Sequence, residues 1–96
     1  MEPAEVVSVG PVLTRGAAAD AVVRAICEEN ADVRVEARAG YLRVLVRGRC
    51  RVSANAIERA LGRAFLLPRD LELIMPSFKG KLQMDGRGAV WEAAPR

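Results

Sequence analysis

The stretch VRVEARAGYLRVLVR, residues 33–47, decides the fold prediction. Apolar and charged side chains alternate strictly in residues 33–38, and a second alternating run follows in residues 41–47. A period of two is typical of a strand that buries one face. Ala39-Gly40 fits a turn between two such strands. The sequence therefore predicts an antiparallel hairpin.

The two faces of this hairpin differ in chemistry. Val33, Val35 and Ala37 share the predicted inner face with Leu42, Val44 and Val46. The predicted outer face holds Arg34, Glu36, Arg38, Tyr41, Arg43, Leu45 and Arg47. We expect this arginine-rich face to be exposed to solvent or to a partner.

Helical patterns lie on both sides of the hairpin. Residues Ala17–Glu29 place apolar side chains three and four positions apart, which predicts an amphipathic helix. Residues Ala54–Leu61 predict a second helix. Ser53 can cap the start of that helix through its hydroxyl, and Gly62 fits the left-handed conformation that often ends a helix.

The rest of the chain predicts further strands. These are Val6–Leu13 with a bend at Gly10-Pro11, a third long strand at Leu71–Met75, and short strands at residues 81–85 and 89–92. Residues 48–52 and 76–80 are predicted loops. The expected fold class is therefore α+β, in the order β-α-β-β-α-β-β, with a mostly antiparallel sheet and two helices on one face. We expect one domain at residues 9–96 and a mobile N-terminal tail at residues 1–8.

Composition limits the possible functions. The 96-residue chain has a net charge of +3 and no histidine, so it lacks the commonest general base and metal ligand. Cys27 and Cys50 have no nearby partners of the kind that a zinc site needs, and we expect two free thiols. No apolar run approaches the ~20 residues needed to cross a bilayer. The expected protein is cytoplasmic, binds no cofactor or metal, and is not an enzyme.

Two segments remain as candidate binding sites. Arg43, Arg47, Arg49 and Arg51 lie close together in the sequence. They could contact phosphate or carboxylate groups, which leaves a small nucleic-acid-binding module as an alternative, or they could be a solvated surface. Tyr41 is the one aromatic residue expected beside them, and stacking on bases normally uses more. The second segment, Met75–Gly80, presents Phe78 and Lys79 either to a partner or, for Phe78, back to the core.

Nearly the whole chain resembles a known family, from about Val9 to Trp91. The resemblance rests on VGPV at residues 9–12, ADAVVRAI at 19–26, GYLRV at 40–44, LGRAF at 61–65, DLE at 70–72 and MPSFKG at 75–80. These segments are similar to the small effector, or coupling, proteins of soluble diiron multicomponent monooxygenases. The short segment before Val9 favours the branch that serves aromatic or alkene oxygenases.

The resemblance implies a regulatory protein that binds a diiron hydroxylase. Such effectors carry no cofactor of their own, and they tune oxygen activation and the coupling of electrons to hydroxylation. We expect a monomer when free, with no nucleic-acid or membrane partner. From expected exposure, the predicted contacts are Gly10, Pro11, Tyr41, Arg43, Arg47, Ser77, Phe78 and Lys79.

Overall fold

The computed structural model describes residues 7–93. Its strands are β1 (Ser8–Thr14), β2 (Arg34–Ala37), β3 (Tyr41–Arg47), β4 (Arg49–Ser53), β5 (Ser77–Lys79), β6 (Lys81–Met84) and β7 (Gly88–Glu92). Its helices are α1 (Ala17–Glu29), α2 (Ala54–Leu61) and α3 (Arg69–Ile74). The predicted α+β class is confirmed. Of the predicted tail, residues 1–6 lie outside the described residues, and Ser8 begins β1.

The strands form two antiparallel sheets, so the prediction of one sheet was wrong. The four-stranded sheet has the order β2-β3-β1-β5, and the three-stranded sheet has the order β4-β7-β6. The chain passes from the first sheet to the second at Gly48 and again at Gly80. Both glycines have positive φ angles, 77° and 106°, which other residues adopt at a cost.

The predicted hairpin is present as β2 and β3. Val35 pairs with Val44 and Glu36 pairs with Arg43, as the alternation requires. Leu42, Val44 and Val46 are buried. Because β2 is an edge strand, Val35 is partly exposed although it was expected inside.

Helices α1 and α2 have the predicted bounds and pack against each other. The Ser53 hydroxyl accepts a hydrogen bond from the Ala56 amide at 3.1 Å, and Gly62 ends α2 in the left-handed conformation. Glu29, at the end of α1, accepts hydrogen bonds from the Ser53 amide and hydroxyl at 2.7 and 2.8 Å. The core between helices and sheets includes Val9, Leu13, Val22, Ile26, Val44, Ile57, Leu71 and Trp91.

The predicted strand at Leu71–Met75 was wrong, because the segment is mostly the helix α3. Leu71 and Met75 are buried while Leu73 is 76% exposed, which fits a spacing of four on one helical face. A run of five alternating residues fits both a strand and a short helix, so the sequence pattern could not distinguish the two. Asp70 stabilises the start of α3, since its carboxylate accepts a hydrogen bond from the Leu66 amide at 2.7 Å.

Two predicted loops contain strands. The segment from Arg49 to Ser53 is β4, which pairs with β7 and buries Cys50 and Val52. Within the predicted loop at residues 76–80, Ser77–Lys79 forms β5, which pairs with β1. Charged and apolar side chains alternate in residues 49–52, which is a strand signal. Because the run is only four residues long, sequence reasoning did not recognise it. Across residues 7–93, none of the helices has the length and apolar character needed to span a membrane.

Candidate partner-binding surface

The segment Ser77–Lys79 lies at an edge of the four-stranded sheet. In the β1–β5 ladder, Lys79 pairs with Gly10, Phe78 with Pro11, and Ser77 with Val12. All three residues of β5 are exposed, and Phe78 is 44% exposed. Phe78 is not among the side chains that pack against the hydrophobic core. Of the two alternatives that the sequence left open for Phe78, burial in the core is therefore not the one observed.

Gly10 and Pro11 have structural positions inside the sheet. Gly10 has a φ of 149°, and a Cβ atom there would lie 2.2 Å from the Val44 carbonyl oxygen. Pro11 is fully buried. Gly10 thus allows β1 to approach β3 closely, and the Pro11 side chain is not accessible to a partner in this structure.

A small cavity of about 180 Å³ lies between the exposed side chains of β3 and β5. We call it the outer-face cavity, and its lining consists of Gly10, Val12, Arg43, Leu45, Ser77, Phe78 and Lys79. Five of the eight predicted contact residues are therefore brought together. Residues 10, 43 and 77–79 meet although they come from three distant parts of the sequence.

Leu45 contributes an apolar side chain to this cavity. It belongs to the predicted outer face of β3, yet it is only 8% exposed and lies outside the hydrophobic core cluster. Its neighbours on the outer face include the other residues of the cavity. The β3 pattern predicted that Leu45 is exposed. That pattern contains no information about the pairing of β5 with β1.

Two cations, Arg43 and Lys79, line the cavity. Among the described residues, neither has a carboxylate oxygen within 4.0 Å. Glu36 is the cross-strand partner of Arg43 in the ladder, but its carboxylate contacts Arg34 at 3.6 Å and Arg38 at 3.4 Å. The cavity therefore combines a mixed polar and apolar lining with positive charge.

The arginine cluster of the sequence is divided between the two sheets. Arg43 lines the outer-face cavity, whereas Arg47, Arg49 and Arg51 line a separate open depression beside Asn30 and Asp32. Arg49 also forms an ion pair with Glu92 at 3.3 Å. This division gives no support to the nucleic-acid alternative.

Tyr41 lies at the far end of β3 from Arg47. It pairs with Thr14 and is exposed at the edge of the hairpin, while Arg47 pairs with Ser8. Neither residue lines the outer-face cavity. Tyr41 and Arg47 are accessible on β3, the strand that contributes Arg43 and Leu45 to the cavity lining.

The described residues show no metal-binding cluster. Nowhere in residues 7–93 do three or more cysteine, aspartate or glutamate side chains group as metal ligands would. Cys27 is exposed and Cys50 is buried, and both are free thiols. Burial, with a smaller effect from Cys27, raises the pKa of Cys50 to about 12.

A second apolar surface was missed by sequence reasoning. Leu66 and Leu73 are exposed beside α3 and line a shallow depression together with Phe65, Arg63 and Arg69. A helical interpretation of residues 69–74 would have placed Leu73 outside the core. The cue was Pro68 followed by Asp70, since acidic residues are enriched in the first turn of a helix.

Comparisons with known proteins define the family. The model of the MmoB/DmpM family matches residues 7–92, and the chain belongs to this family. It is 39% identical over 85 residues to the effector subunit of the alkene monooxygenase system of Xanthobacter autotrophicus. That match covers 86% of this chain and 83% of the relative.

A solved structure shares the fold. The chain superposes with a TM-score of 0.78 on a chain in the structure of a phenol hydroxylase–regulatory protein complex. The sequences are 18% identical, and the match covers 94% of this chain and 100% of the other. The predicted resemblance to monooxygenase effectors is confirmed.

Proposed function

We propose that this protein is the effector subunit of a multicomponent monooxygenase, which binds the diiron hydroxylase and couples oxygen activation to substrate hydroxylation. The observation that carries this proposal is the 39% identity to an alkene monooxygenase effector subunit over most of both chains. The fold shared with a chain from a hydroxylase–regulatory protein complex supports it. The same relative favours an alkene substrate for the whole system.

On this proposal the effector performs no chemistry itself. It has no histidine, and the thiol of Cys50 is buried with a pKa of about 12. The diiron centre, the oxygen and the substrate belong to the hydroxylase, and the effector holds no cofactor. We place it in the cytoplasm as a monomer when it is free.

The proposed mechanism requires only differential binding. An effector that binds one conformation of the hydroxylase better than another shifts the population toward that conformation. A coupling free energy of about 1–3 kcal/mol changes the ratio of two states by roughly 5–150-fold. A small protein with a shaped surface is sufficient for such a shift.

The outer face of the four-stranded sheet is the proposed docking surface. It presents Tyr41, Arg43 and Arg47 from β3 and Ser77 and Lys79 from β5. Phe78 projects from the opposite face of β5, where it offers an exposed aromatic group at the sheet edge, and aromatic side chains are enriched among residues that dominate binding energies. Gly10 and Pro11 support this surface from within the sheet.

A reconstituted enzyme assay tests the function. The purified effector is added to the hydroxylase and reductase encoded with it, and product formed per NADH consumed is measured. We expect the ratio to rise with effector concentration until the hydroxylase is saturated. If saturating effector changes neither the rate, the coupling nor the position of hydroxylation, the proposed function is wrong.

A further inference from the structure

We infer, on the basis of the proposed function, that the outer-face cavity binds a carboxylate side chain of the hydroxylase, held by Arg43 and Lys79 with the Ser77 hydroxyl as a third donor. The inference concerns the chemistry of the partner surface at the point where the effector docks. Three observations support it: the positions of the donors, their lack of partners, and the composition of the cavity lining.

The strand registers place the three donors on one face of the sheet. Arg43 and Ser77 both pair with Val12, from opposite sides of β1. Lys79 pairs with Gly10, two positions before Val12. Paired residues, and residues two positions apart in a strand, project from the same face of a sheet. The donors therefore lie on both sides of β1, and Gly10 has no side chain to fill the space between them.

Each donor lacks a partner among the described residues. Arg43 and Lys79 have no carboxylate oxygen within 4.0 Å, and neither their side chains nor the Ser77 hydroxyl form hydrogen bonds within residues 7–93. Glu36, the cross-strand neighbour of Arg43, is already paired with two other arginines. An anionic group from outside the chain would therefore meet donors that are free to bind it.

The composition of the lining selects an anion. Among the described residues that line the outer-face cavity, two are cations, one carries a hydroxyl and none is acidic. The other depressions differ in this respect. The one beside Asn30 includes Glu29 and Asp32, and the one beside α3 includes Asp70. In those depressions the arginines have carboxylates of the same chain nearby, whereas in the outer-face cavity the positive charge has none.

The size and walls of the cavity suit one side chain. Its volume is about 180 Å³. A water molecule takes up roughly 30 Å³ of liquid volume, so the cavity has room for a carboxylate group together with some water. Val12 and Leu45 line it on adjacent strands, and Leu45 is only 8% exposed. Apolar walls lower the local dielectric constant, which strengthens the attraction between opposite charges.

The source of the anionic group follows from the proposed partner. That partner is a protein, and the side chains of a protein that are negatively charged at neutral pH are chiefly aspartate and glutamate. A second copy of this chain docked through the same face would bring cations toward cations. We therefore assign the carboxylate to the hydroxylase.

The first test neutralises the two cations. Arg43→Gln and Lys79→Gln each remove a charge and keep much of the side-chain length. Binding of each purified effector to the intact diiron hydroxylase is measured by titration at low and high ionic strength. We expect each variant to bind about tenfold more weakly than the wild type at low salt, and the difference to shrink as salt screens the lost attraction. Both side chains are exposed, so the melting temperature should stay the same.

Arg24→Gln and Arg63→Gln are the matched controls. Both arginines are exposed, neither has a carboxylate oxygen within 4.0 Å among residues 7–93, and neither lines the outer-face cavity. Each control removes the same charge as Arg43→Gln. We expect both to bind within about twofold of the wild type, because salt screens charges that are not in contact. Equal losses in the controls and the cavity variants would show that only net charge matters, and would overturn the inference.

A crosslinking experiment identifies the partner group directly. A carbodiimide activates a carboxylate, which then forms an amide with a lysine amine in contact with it. The chain has two lysines, Lys79 and Lys81, and Lys79 is the one that lines the cavity. Mass spectrometry of the crosslinked wild-type complex should show Lys79 joined to an aspartate or glutamate of the hydroxylase. Lys79→Arg should lose this product and still bind more tightly than Lys79→Gln, because it keeps the charge.

The remaining outcomes separate the inference from the proposed function. If the wild type binds and raises coupling while Arg43→Gln and Lys79→Gln bind equally well, the inference fails and the proposed function stands. A bound complex without a crosslink at Lys79, or with one at Lys81 alone, has the same meaning. If Lys79 couples instead to a second effector molecule, the occupant is a copy of this chain and the inference is overturned. If the wild type does not bind the hydroxylase at all, both the inference and the proposed function are wrong.

Discussion

At the scale of single residues, Gly80 is a position that requires glycine. It separates β5 from β6, so the chain leaves one sheet and enters the other at this position. Its φ is 106°, and a Cβ atom would lie 2.8 Å from both the Glu92 carbonyl oxygen and a methyl carbon of Val9. Only glycine satisfies both the backbone angle and the space.

Gly80→Ala should therefore lower the free energy of unfolding by about 2 kcal/mol or more. Gly86→Ala is the matched control, because a Cβ atom there has no neighbour within 4 Å. We expect the control to change stability by less than about 0.5 kcal/mol. Urea denaturation measures both, and Trp91, the one tryptophan of the chain, is a suitable buried fluorophore. Equal stability of the two variants would contradict this role of Gly80.

The two cysteines should differ sharply in reactivity. Cys27 is exposed, whereas Cys50 is buried with its pKa raised to about 12. The thiolate is the reactive form, so at pH 8 the Cys50 thiol is almost entirely protonated as well as inaccessible. Counting labelled thiols by mass spectrometry should give one modification in native protein, at Cys27, and two in denaturant. Rapid native labelling of Cys50 would show that β4 is not packed as described.

At the scale of secondary-structure elements, the contact between α1 and α2 includes hydrogen bonds between Ser53 and Glu29. Ser53 caps α2 while its amide and hydroxyl both donate to Glu29. Sequence reasoning identified the cap but not the glutamate, which lies 24 residues away. The two helices are therefore joined at their ends by one small polar cluster.

Ser53→Ala removes both the cap and one bond to Glu29. We expect a loss of about 1–2 kcal/mol of stability, measured by chemical denaturation. Ser77→Ala serves as the control, because the Ser77 side chain forms no hydrogen bond within residues 7–93 and is exposed. A loss of equal size in the control would show that the Ser53 cluster is not responsible.

The β6–β7 turn should give part of the pH dependence of stability. The Asp85 carboxylate accepts hydrogen bonds from the Arg87 and Gly88 amides at 2.8 and 3.1 Å, and these bonds lower its pKa below the ordinary value. Because the pKa of Asp85 is lower in the folded than in the unfolded protein, its ionised carboxylate stabilises the folded state. This stabilisation is complete above the unfolded-state pKa and is lost as the pH falls through the folded-state pKa.

Asp85→Asn should accordingly be less stable than the wild type above about pH 5, and the difference should shrink as pH falls below about 4. Thermal melts across this range provide the measurement. Glu72→Gln is the control, since it removes a carboxylate outside the turn. A difference between Asp85→Asn and the wild type that is constant down to low pH would contradict the assignment.

The elements also show what sequence can predict. Helices α1 and α2 were predicted to the residue, α1 from its apolar periodicity and α2 from a capping serine and a terminal glycine. The hairpin was predicted because its alternation continues over many residues. Strand β4 and helix α3 were not, because four to six residues carry too little periodicity to separate a strand from a loop or a helix.

At the scale of the whole molecule, the candidate site is a product of tertiary structure. The cavity forms because β5 adds to β1 and thereby brings Ser77 and Lys79 beside Arg43 and Leu45. Sequence reasoning selected Arg43, Phe78 and Lys79 from their expected exposure. It could not predict that Leu45 is buried on the outer face, or that Pro11 lies inside the sheet, because both depend on a strand pairing across more than sixty residues.

The central claim is that binding of this chain changes what the hydroxylase does. The most direct measurement titrates effector into hydroxylase and reductase and follows product formed per NADH consumed at each concentration. We expect a saturable rise in this ratio, with a midpoint that matches the Kd for hydroxylase binding measured under the same conditions. A ratio that stays constant while the hydroxylase becomes fully occupied by effector would contradict it.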